Sequence, residues 1–243
     1  MDERLFCSDL HLAPERPETM ALFLHFLATR ARQAAQLYIL GDLFDAWIGD
    51  DDDLPPYQRI RQALRALTRG GTGCTLLPGN RDFLLGKAFC RATGCRLLPD
   101  PSLLIDQGQR ILLMHGDLLC TDDLAYQRFR RRVRNPLVKR LFLWKSLEKR
   151  RAIARDYRRK SARATAQKQE KIMDVNRTAV QSYLARFQAT QLIHGHIHRP
   201  DTQVHEEQGV RTVRHVLAEW REDRGEILSL SERGWHREAV RFD

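Results

Sequence analysis

The histidines of the stretch LIHGHIHRP are the residues whose types and spacing most directly suggest chemistry. His194, His196 and His198 are three of the nine histidines in the chain and alternate around Gly195. A short polar segment offers no apolar core in which three imidazoles could be buried, and neutral imidazole is a common metal ligand. Histidine-rich tracts also occur as solvated loops or purification tags, so the metal interpretation depends on ligands from elsewhere in the chain.

Short apolar runs that predict β-strands occur before most of the other candidate ligands. These runs are RLFCSDL, QLYILGD, CTLLPGN, RILLMHGD and QLIHGH. Two intervening stretches, ETMALFLHFLATRARQ and YQRIRQALRALTRG, have apolar residues at helical spacing. The C-terminal runs VRTVRHVL, GEILSL and WHREAVRF predict further strands. This alternation predicts one α/β domain, a sandwich, over residues 1–243.

The candidate ligands lie where these strands end. In α/β sheets, ligands bind beyond the carboxyl ends of the strands, so residues at several strand ends can share one site. Any one pair is a weak signal, because two such residues often occur close together by chance. The combined set is Asp9, His11, Asp42, Asn80, His115, His196 and His198.

This mixture of carboxylate, amide and imidazole groups suits two divalent cations about 3.5–4 Å apart, which require a bridging carboxylate. Asp42 is the natural bridge. Asp9 and Asp42 supply two negative charges against four positive ones, so the site would stay electropositive and attract an anionic substrate. Such cations can also lower the pKa of a water molecule to about 7, which predicts hydrolysis at phosphorus.

The order D-x-H, GD, GN, HG and GHxH resembles the calcineurin-like metallophosphoesterase family. The resemblance implies a four-layer αββα sandwich. It also implies that Asp9, His11 and His198 complete one metal shell around Asp42, and that Asn80, His115 and His196 complete the other. His194 matches no ligand block, so we expect it to pack beside the site or to orient a ligand.

Arg81 departs from the pattern of many relatives, which carry GNH where this chain has GNRDF. A guanidinium stays protonated and cannot act as a general acid, but its planar fork is suited to holding phosphate oxygens. A phosphate leaving group, whose second pKa is about 6, needs no proton donor. Arg81 therefore favours cleavage of a pyrophosphate over that of a phosphodiester, unless it merely pairs with Asp82.

Positive charge is concentrated in residues 128–171, which contain 18 Lys or Arg and three Asp or Glu, although the whole chain has a net charge of only +10. The stretch NPLVKRLFLWKSLEK within it predicts a basic amphipathic helix carrying Leu141 and Trp144. Such a helix can pack on the core with a solvated basic face, or it can bind a membrane surface or nucleic acid.

Nearly the whole chain, including GDLFDAWIGDDD and HGDLLCTDDLAY, resembles the UDP-2,3-diacylglucosamine hydrolases of Gram-negative lipid A synthesis. The resemblance implies a manganese-dependent pyrophosphatase that forms UMP and 2,3-diacylglucosamine 1-phosphate. It would work at the anionic cytoplasmic face of the inner membrane as a peripheral protein. Residues 122–187 would form a basic amphipathic lid whose apolar side chains, among them Leu141 and Trp144, receive acyl chains. Implied substrate contacts are Asn80, Arg81, Asp123, Tyr126, Ser161, Thr165, Lys168 and His196, and Asp42, Asn80, Arg81 and His196 would be catalytic.

Several alternatives are weighed against this interpretation. The chain has no continuous apolar run of roughly 18 residues and no signal-peptide pattern at its start, and its five cysteines form no CxxC pair. We therefore expect reduced thiols in a cytosol. A nuclease or phosphodiesterase of the same fold would also use a basic insertion, but Arg81 argues against it. An RNA-binding module would not need the ligand set, so we expect neither nucleic acid nor an obligate protein partner.

Overall fold

The structure, a computed structural model, describes residues 2–166, 174–207 and 209–242, and the side chains of all of these except 162–166. The strands of this part of the chain are β1 (Arg4–Cys7), β2 (Gln36–Leu40), β3 (Gly73–Leu77), β4 (Arg96–Leu97), β5 (Ser102–Asp106), β6 (Gln109–Leu113), β7 (Gln191–His194), β8 (Asp201–Glu207), β9 (Val210–Val216), β10 (Gly225–Ser231) and β11 (Gly234–Val240). Its α-helices are α1 (Pro17–Ala28), α2 (Pro55–Arg69), α3 (Lys87–Thr93), α4 (Leu124–Val133), α5 (Pro136–Leu143), α6 (Leu147–Ala166) and α7 (Arg177–Phe187).

The first sheet has the order β11-β10-β1-β2-β3-β4, and its strands β1 to β4 run parallel. Its apolar side chains alternate between the two faces, as the two-residue period of a strand requires. Leu5 and Leu37 point toward α1 and α2, whereas Phe6 and Leu40 point toward the second sheet. Both faces are therefore buried, which explains why these strands are apolar runs rather than alternating sequences.

The second sheet has the order β5-β6-β7-β9-β8. Strands β6, β7 and β9 are parallel, and β5 and β8 join as antiparallel edges. The sequence analysis did not identify β5 or β8. Strand β8, with the sequence DTQVHEE, is almost entirely exposed, so burial imposes no apolar pattern on it.

Three apolar clusters separate four layers. One lies between α1–α3 and the first sheet, one lies between the two sheets, and one joins α7 to the second sheet. In the last of these, Val180 and Leu184 of α7 pack with Leu112 and Leu192. The predicted αββα sandwich is confirmed, and α7, the C-terminal part of the predicted insertion, serves as one of its outer layers.

Helices α4, α5 and α6, here called the α4–α6 segment, lie between the HGD motif and α7. The stretch for which the sequence predicted one amphipathic helix forms parts of two helices, because α5 ends at Leu143 and α6 begins at Leu147. The Ser146 hydroxyl accepts a hydrogen bond from the amide of Lys149 at 3.4 Å, as an N-cap does. Among the helices that the structure describes, none has both the length and the apolarity needed to cross a bilayer.

Candidate metal centre

The predicted ligands meet at one edge of the sandwich, where the parallel strands of both sheets end. Backbone hydrogen bonds hold their loops together: the amide of Asp9 donates to Gly41 at 3.1 Å, and that of His11 donates to Asp42 at 2.9 Å. The loop after β7 joins them, because the amide of His196 donates to Asp9 Oδ2 at 2.9 Å.

The first donor group consists of Asp9, His11 and His198, whose ligand atoms lie within 4.8 Å of one another. His198 Nε2 is 3.2 Å from Asp9 Oδ1 and 3.4 Å from His11 Nε2. His11 Nδ1 is buried without a hydrogen-bond partner among the described residues and lies 3.9 Å from Asp42 Oδ2. A cation bound here would give these clustered acceptor atoms a shared partner.

The second donor group consists of Asp9, Asp42 and His115, again within 4.8 Å. His115 Nε2 is 3.7 Å from Asp42 Oδ1 and 2.8 Å from Asn80 Oδ1. His115 Nδ1 lies 3.0 Å from the carbonyl of Leu40, which assigns a proton to Nδ1 and directs Nε2 into the group.

Asp9 belongs to both groups, so the bridging role must be decided between Asp9 and Asp42. Asp9 Oδ2 is already engaged by the Ser8 hydroxyl at 2.5 Å and by the His196 amide. Asp42 Oδ1 also accepts from the amide of Arg81 at 2.8 Å, but Oδ2 accepts no such bond from any residue that the structure describes, and the two oxygens of Asp42 face one imidazole from each group. This orientation favours Asp42 as the bridge.

His196 lies beside the second group, with its ring centroid 5.0 Å from that of His115. Burial lowers the pKa of His196 to about 4, so its ring is neutral and offers a lone pair. His194 is also fully buried, and burial lowers its pKa to about 3. Its Nδ1 is 2.8 Å from the Gly195 carbonyl, and it belongs to neither donor group.

The electrostatics of the pocket suit cations. Burial raises the pKa of Asp42 to about 7, which indicates a carboxylate without enough positive charge around it. Burial disfavours protonation of His115, yet Asp42 and Asp9 raise its pKa to about 9. Carboxylates that hold a proton on a fully buried imidazole can bind a divalent cation in its place. The donor set therefore fits divalent metal ions.

The backbone at these ligands is unusual, because five of the predicted ligands have positive φ angles. They are Asp9 at 54°, His11 at 49°, Asp42 at 52°, His196 at 71° and His198 at 54°. The left-handed region is sparsely populated by residues other than glycine, and such residues cluster at functional sites. The loops thus adopt costly conformations in order to aim ligand side chains inward.

Asp82 ties the ligand loops together. Its Oδ1 accepts from the amide of Gly79 at 2.7 Å, and its Oδ2 accepts from the amide of Leu43 at 2.8 Å. A Cβ at Gly79 would lie 2.1 Å from Asp42 Oδ1, so this close approach requires glycine. One interpretation of the sequence was that Arg81 pairs with Asp82, but the structure does not show this pair. Arg81 Nη1 lies 3.1 Å from Asp45 Oδ1.

Two adjoining cavities open beside the donor groups. The polar cavity, about 490 Å³, is lined by His11, Asp42, His196 and His198 together with α4 and α6. The apolar cavity, about 210 Å³, is lined mainly by Trp47, Phe83, Phe129, Val138, Phe142 and Ile153. Residues lining both are Asn80, Arg81, Tyr126, Phe129, Tyr157 and Ser161. A ligand at the metals can therefore extend into an apolar chamber past Arg81.

The predicted substrate contacts are brought only partly to this junction. Asp123 lines the polar cavity and caps α4 by accepting from the amide of Tyr126 at 3.1 Å. The Tyr126 hydroxyl donates to Asp117 Oδ2 at 2.6 Å. Ser161 lines both cavities, whereas Lys168 and the side chain of Thr165 lie outside the described residues.

Leu141 and Trp144 line neither cavity and are 60% and 86% exposed. The expectation that they face the substrate is wrong for this arrangement, because α5 turns Val138 and Phe142 inward instead. Sequence reasoning also missed Glu219, whose Oε2 is 3.6 Å from His198 Nδ1.

Comparison with known proteins yields both a family and close relatives. Residues 4–200 match the model of the calcineurin-like phosphoesterases. The chain is 47% identical over 216 residues to a UDP-2,3-diacylglucosamine hydrolase of Yersinia pestis, covering 89% of this chain and 90% of that one. It is 47% identical over 234 residues to one of Stutzerimonas stutzeri, covering 96% of each. Among solved structures, the E. coli phosphoesterase Yfce has 16% identity and a TM-score of 0.45, over 95% of this chain and 88% of that one.

Proposed function

Because the chain belongs to the calcineurin-like phosphoesterase family and within it to the UDP-2,3-diacylglucosamine hydrolases, we propose that it cleaves the pyrophosphate of UDP-2,3-diacylglucosamine to UMP and 2,3-diacylglucosamine 1-phosphate. The observation that carries the proposal is the junction at Arg81, where a cluster of metal-binding side chains opens into an apolar chamber. This substrate has a pyrophosphate beside two acyl chains, so both features have a use.

Asp9, His11, Asp42 and His198 would hold one divalent metal ion, and Asp42, Asn80, His115 and His196 would hold the other. Bound ions would supply Lewis acidity to the phosphoryl oxygens and to the attacking water. We take Mn²⁺ as the cofactor, because the ligands are imidazole, carboxylate and amide groups. The thiolates that are typical of a tight zinc site are absent from this ligand set.

Arg81 would hold the phosphoryl oxygens through its guanidinium fork. Water would attack the phosphorus on the UMP side, and the bond to the bridging oxygen would break. The sugar phosphate would leave as an anion, and since that group needs no proton, no general acid is required at position 81. His196, neutral and beside the second donor group, would help hold the same phosphoryl group.

The α4–α6 segment would act as the lid over the acyl chains. Val138 and Phe142 already line the apolar cavity, together with Phe129 and Ile153. The polar part of the substrate would contact Asp123, Tyr126, Ser161, Thr165 and Lys168. The hydrogen bond from the Tyr126 amide to Asp123 and the one from the Tyr126 hydroxyl to Asp117 would hold the first two side chains in place. The substrate half with the acyl chains would thus be enclosed, while the uridylyl half would lie in the polar cavity.

The test of the proposal is hydrolysis of UDP-2,3-diacylglucosamine with and without added Mn²⁺, compared with bis-p-nitrophenyl phosphate. We expect turnover of the first substrate that is lost after chelation and restored by Mn²⁺, and little turnover of the diester. In ¹⁸O-labelled water the label should enter UMP. Full activity after exhaustive chelation, or preference for the diester, would contradict the proposal.

We further propose that α5 brings the protein to the anionic cytoplasmic face of the inner membrane as a peripheral protein. Leu137, Leu141 and Trp144 are 70%, 60% and 86% exposed and form an apolar surface. Basic residues of the α4–α6 segment lie close to these three residues in the sequence, among them Arg131, Arg132 and Arg140. Apolar side chains that enter the interface and a basic rim that meets anionic lipid act together in such binding.

Replacing Leu141 and Trp144 with serine should weaken binding to anionic liposomes at least about tenfold, since burial of each such side chain contributes about 1.5–3 kcal/mol. Sedimentation with anionic and neutral liposomes at increasing salt measures this, and wild-type binding should fall as salt screens the basic surface. Cleavage of a soluble UDP-sugar analogue should stay near wild type.

The matched variant is Phe142→Ala, which alters the apolar cavity rather than the outer surface. It should raise the KM for the diacyl substrate without changing liposome binding. Equal binding of the wild-type protein to neutral and anionic liposomes would assign the basic surface to another partner.

A further inference from the structure

Asp45 lies between two arginines at the mouth of the apolar cavity. Its Oδ1 is 3.1 Å from Arg81 Nη1, and its Oδ2 pairs with Arg158 Nη2. Asp45 itself is 7% exposed, whereas the side chains of Arg81 and Arg158 are 36% and 43% exposed. A nearly buried carboxylate thus joins an arginine of the metal site to an arginine of α6.

Two neighbouring acidic residues also hold α6, but in a different place. Asp51 pairs with Arg150, and Asp52 pairs with Arg151 at 2.6 Å. None of these four residues lines either cavity, whereas Asp45, Arg81 and Arg158 all line the apolar one and Arg81 lines both. Asp45 is therefore the member of this acidic loop whose partners face the chamber.

We propose that the Asp45 carboxylate occupies the place of a substrate phosphate between Arg81 and Arg158, and that substrate binding transfers both guanidinium groups from Asp45 to the phosphate. Asp45 is a positioning residue in this role. The identity of the phosphate rests on the proposed function, whereas the exchange between carboxylate and phosphate does not.

The chemistry of the three groups supports the exchange. Carboxylate and phosphate oxygens accept the same charge-assisted hydrogen bonds from a guanidinium fork. Without substrate, Asp45 neutralises two like charges that would otherwise face each other across a partly buried cavity. With substrate, the phosphate must compete with Asp45, so Asp45 weakens the binding of a phosphate that brings no other contacts. Because Arg158 belongs to α6, the exchange also links anion binding to the α4–α6 segment.

The experiment measures inorganic phosphate binding to the Mn²⁺-loaded protein by calorimetry. Asp45→Asn removes the competing charge but keeps the shape, so phosphate should bind about tenfold more tightly, the size expected for charged hydrogen bonds. In turnover assays this variant should have a lower KM and a lower kcat, since the phosphate-bearing product would leave more slowly. A residue that only anchors α6 would raise KM and leave phosphate affinity unimproved.

Asp51→Asn is the matched control, because it removes a carboxylate from an arginine of the same helix outside the cavities. Its phosphate affinity should equal that of the wild type. Arg158→Gln should bind phosphate more weakly, which tests the proposal even if Asp45→Asn does not fold. Unchanged or weaker phosphate binding in folded Asp45→Asn, or unchanged binding in Arg158→Gln, would overturn the proposal. If the phosphate affinities of the variants were as expected but the protein did not cleave UDP-2,3-diacylglucosamine, only the proposed function would be overturned.

Discussion

Replacement of Asp42 by alanine is expected to lower kcat by at least about a thousandfold. The two oxygens of Asp42 face one imidazole of each donor group, so the substitution opens both proposed metal shells at once. Two-metal stabilisation of a phosphoryl transition state contributes several kcal/mol, and each 1.4 kcal/mol or so corresponds to tenfold in rate. Steady-state kinetics with saturating Mn²⁺, together with calorimetric counting of bound metal, would measure the effect.

Asp106→Ala is the matched control for loss of a buried carboxylate. Asp106 is 6% exposed and pairs with Arg4 at 2.6 Å, at the opposite end of β1 from the donor groups. This control should lose stability but keep its kcat and its metal content. Retention of more than about a tenth of the wild-type kcat in Asp42→Ala would reject Asp42 as the bridge.

Arg81→Ala is expected to lower kcat/KM for the pyrophosphate substrate about a hundredfold, because a charged donor to the developing negative charge is removed. Arg81→Lys should recover part of this loss, since it keeps the charge but not the planar fork. Arg81→His should also be slow, because the planar fork that stabilises the developing charge is lost, and it should not become an efficient phosphodiesterase. Kinetics on both substrate types would separate these effects.

A suitable control for loss of an arginine is Arg30→Ala. Arg30 makes bidentate contacts to Glu3 and Glu238 at the amino end of β1, away from the cavities. It should lose stability without a change in kcat/KM. If Arg81→Ala matched the wild type in rate and affinity, Arg81 would serve only to pair with Asp45.

The strands and helices that build the sandwich could be predicted because burial on both faces leaves long apolar runs, as in β1, β2 and β3. Strand β8 could not, since its exposed edge carries no apolar pattern, and the apolar run of β5 is only Leu103, Leu104 and Ile105. The break between α5 and α6 was also missed, because the apolar spacing continues through Trp144 while Ser146 starts a new helix. Periodicity indicates which face is apolar but not where the helix is interrupted.

The clustering of the candidate metal ligands could be predicted because each is a polar residue two to four positions after a buried strand, and parallel strands bring their ends together. The partners of those residues could not. Asp45 pairs with Arg81 and Arg158, and Glu219 lies beside His198, through contacts between segments far apart in the chain. In GDLFDAW, the position of Asp45 three residues after Asp42 is the one local signal that could have indicated the first partner.

The positive φ angles at Asp9, His11, Asp42, His196 and His198 restrict which substitutions evolution or design can use at these positions. Asp, Asn and His are enriched in left-handed backbone, whereas most other side chains are not. Glutamate and cysteine bind metals well, yet at these positions they would also carry a conformational penalty. Coordination chemistry and backbone geometry therefore favour the same few amino acids at these positions. A substitution that is tolerated there must both bind the metal and adopt the left-handed conformation.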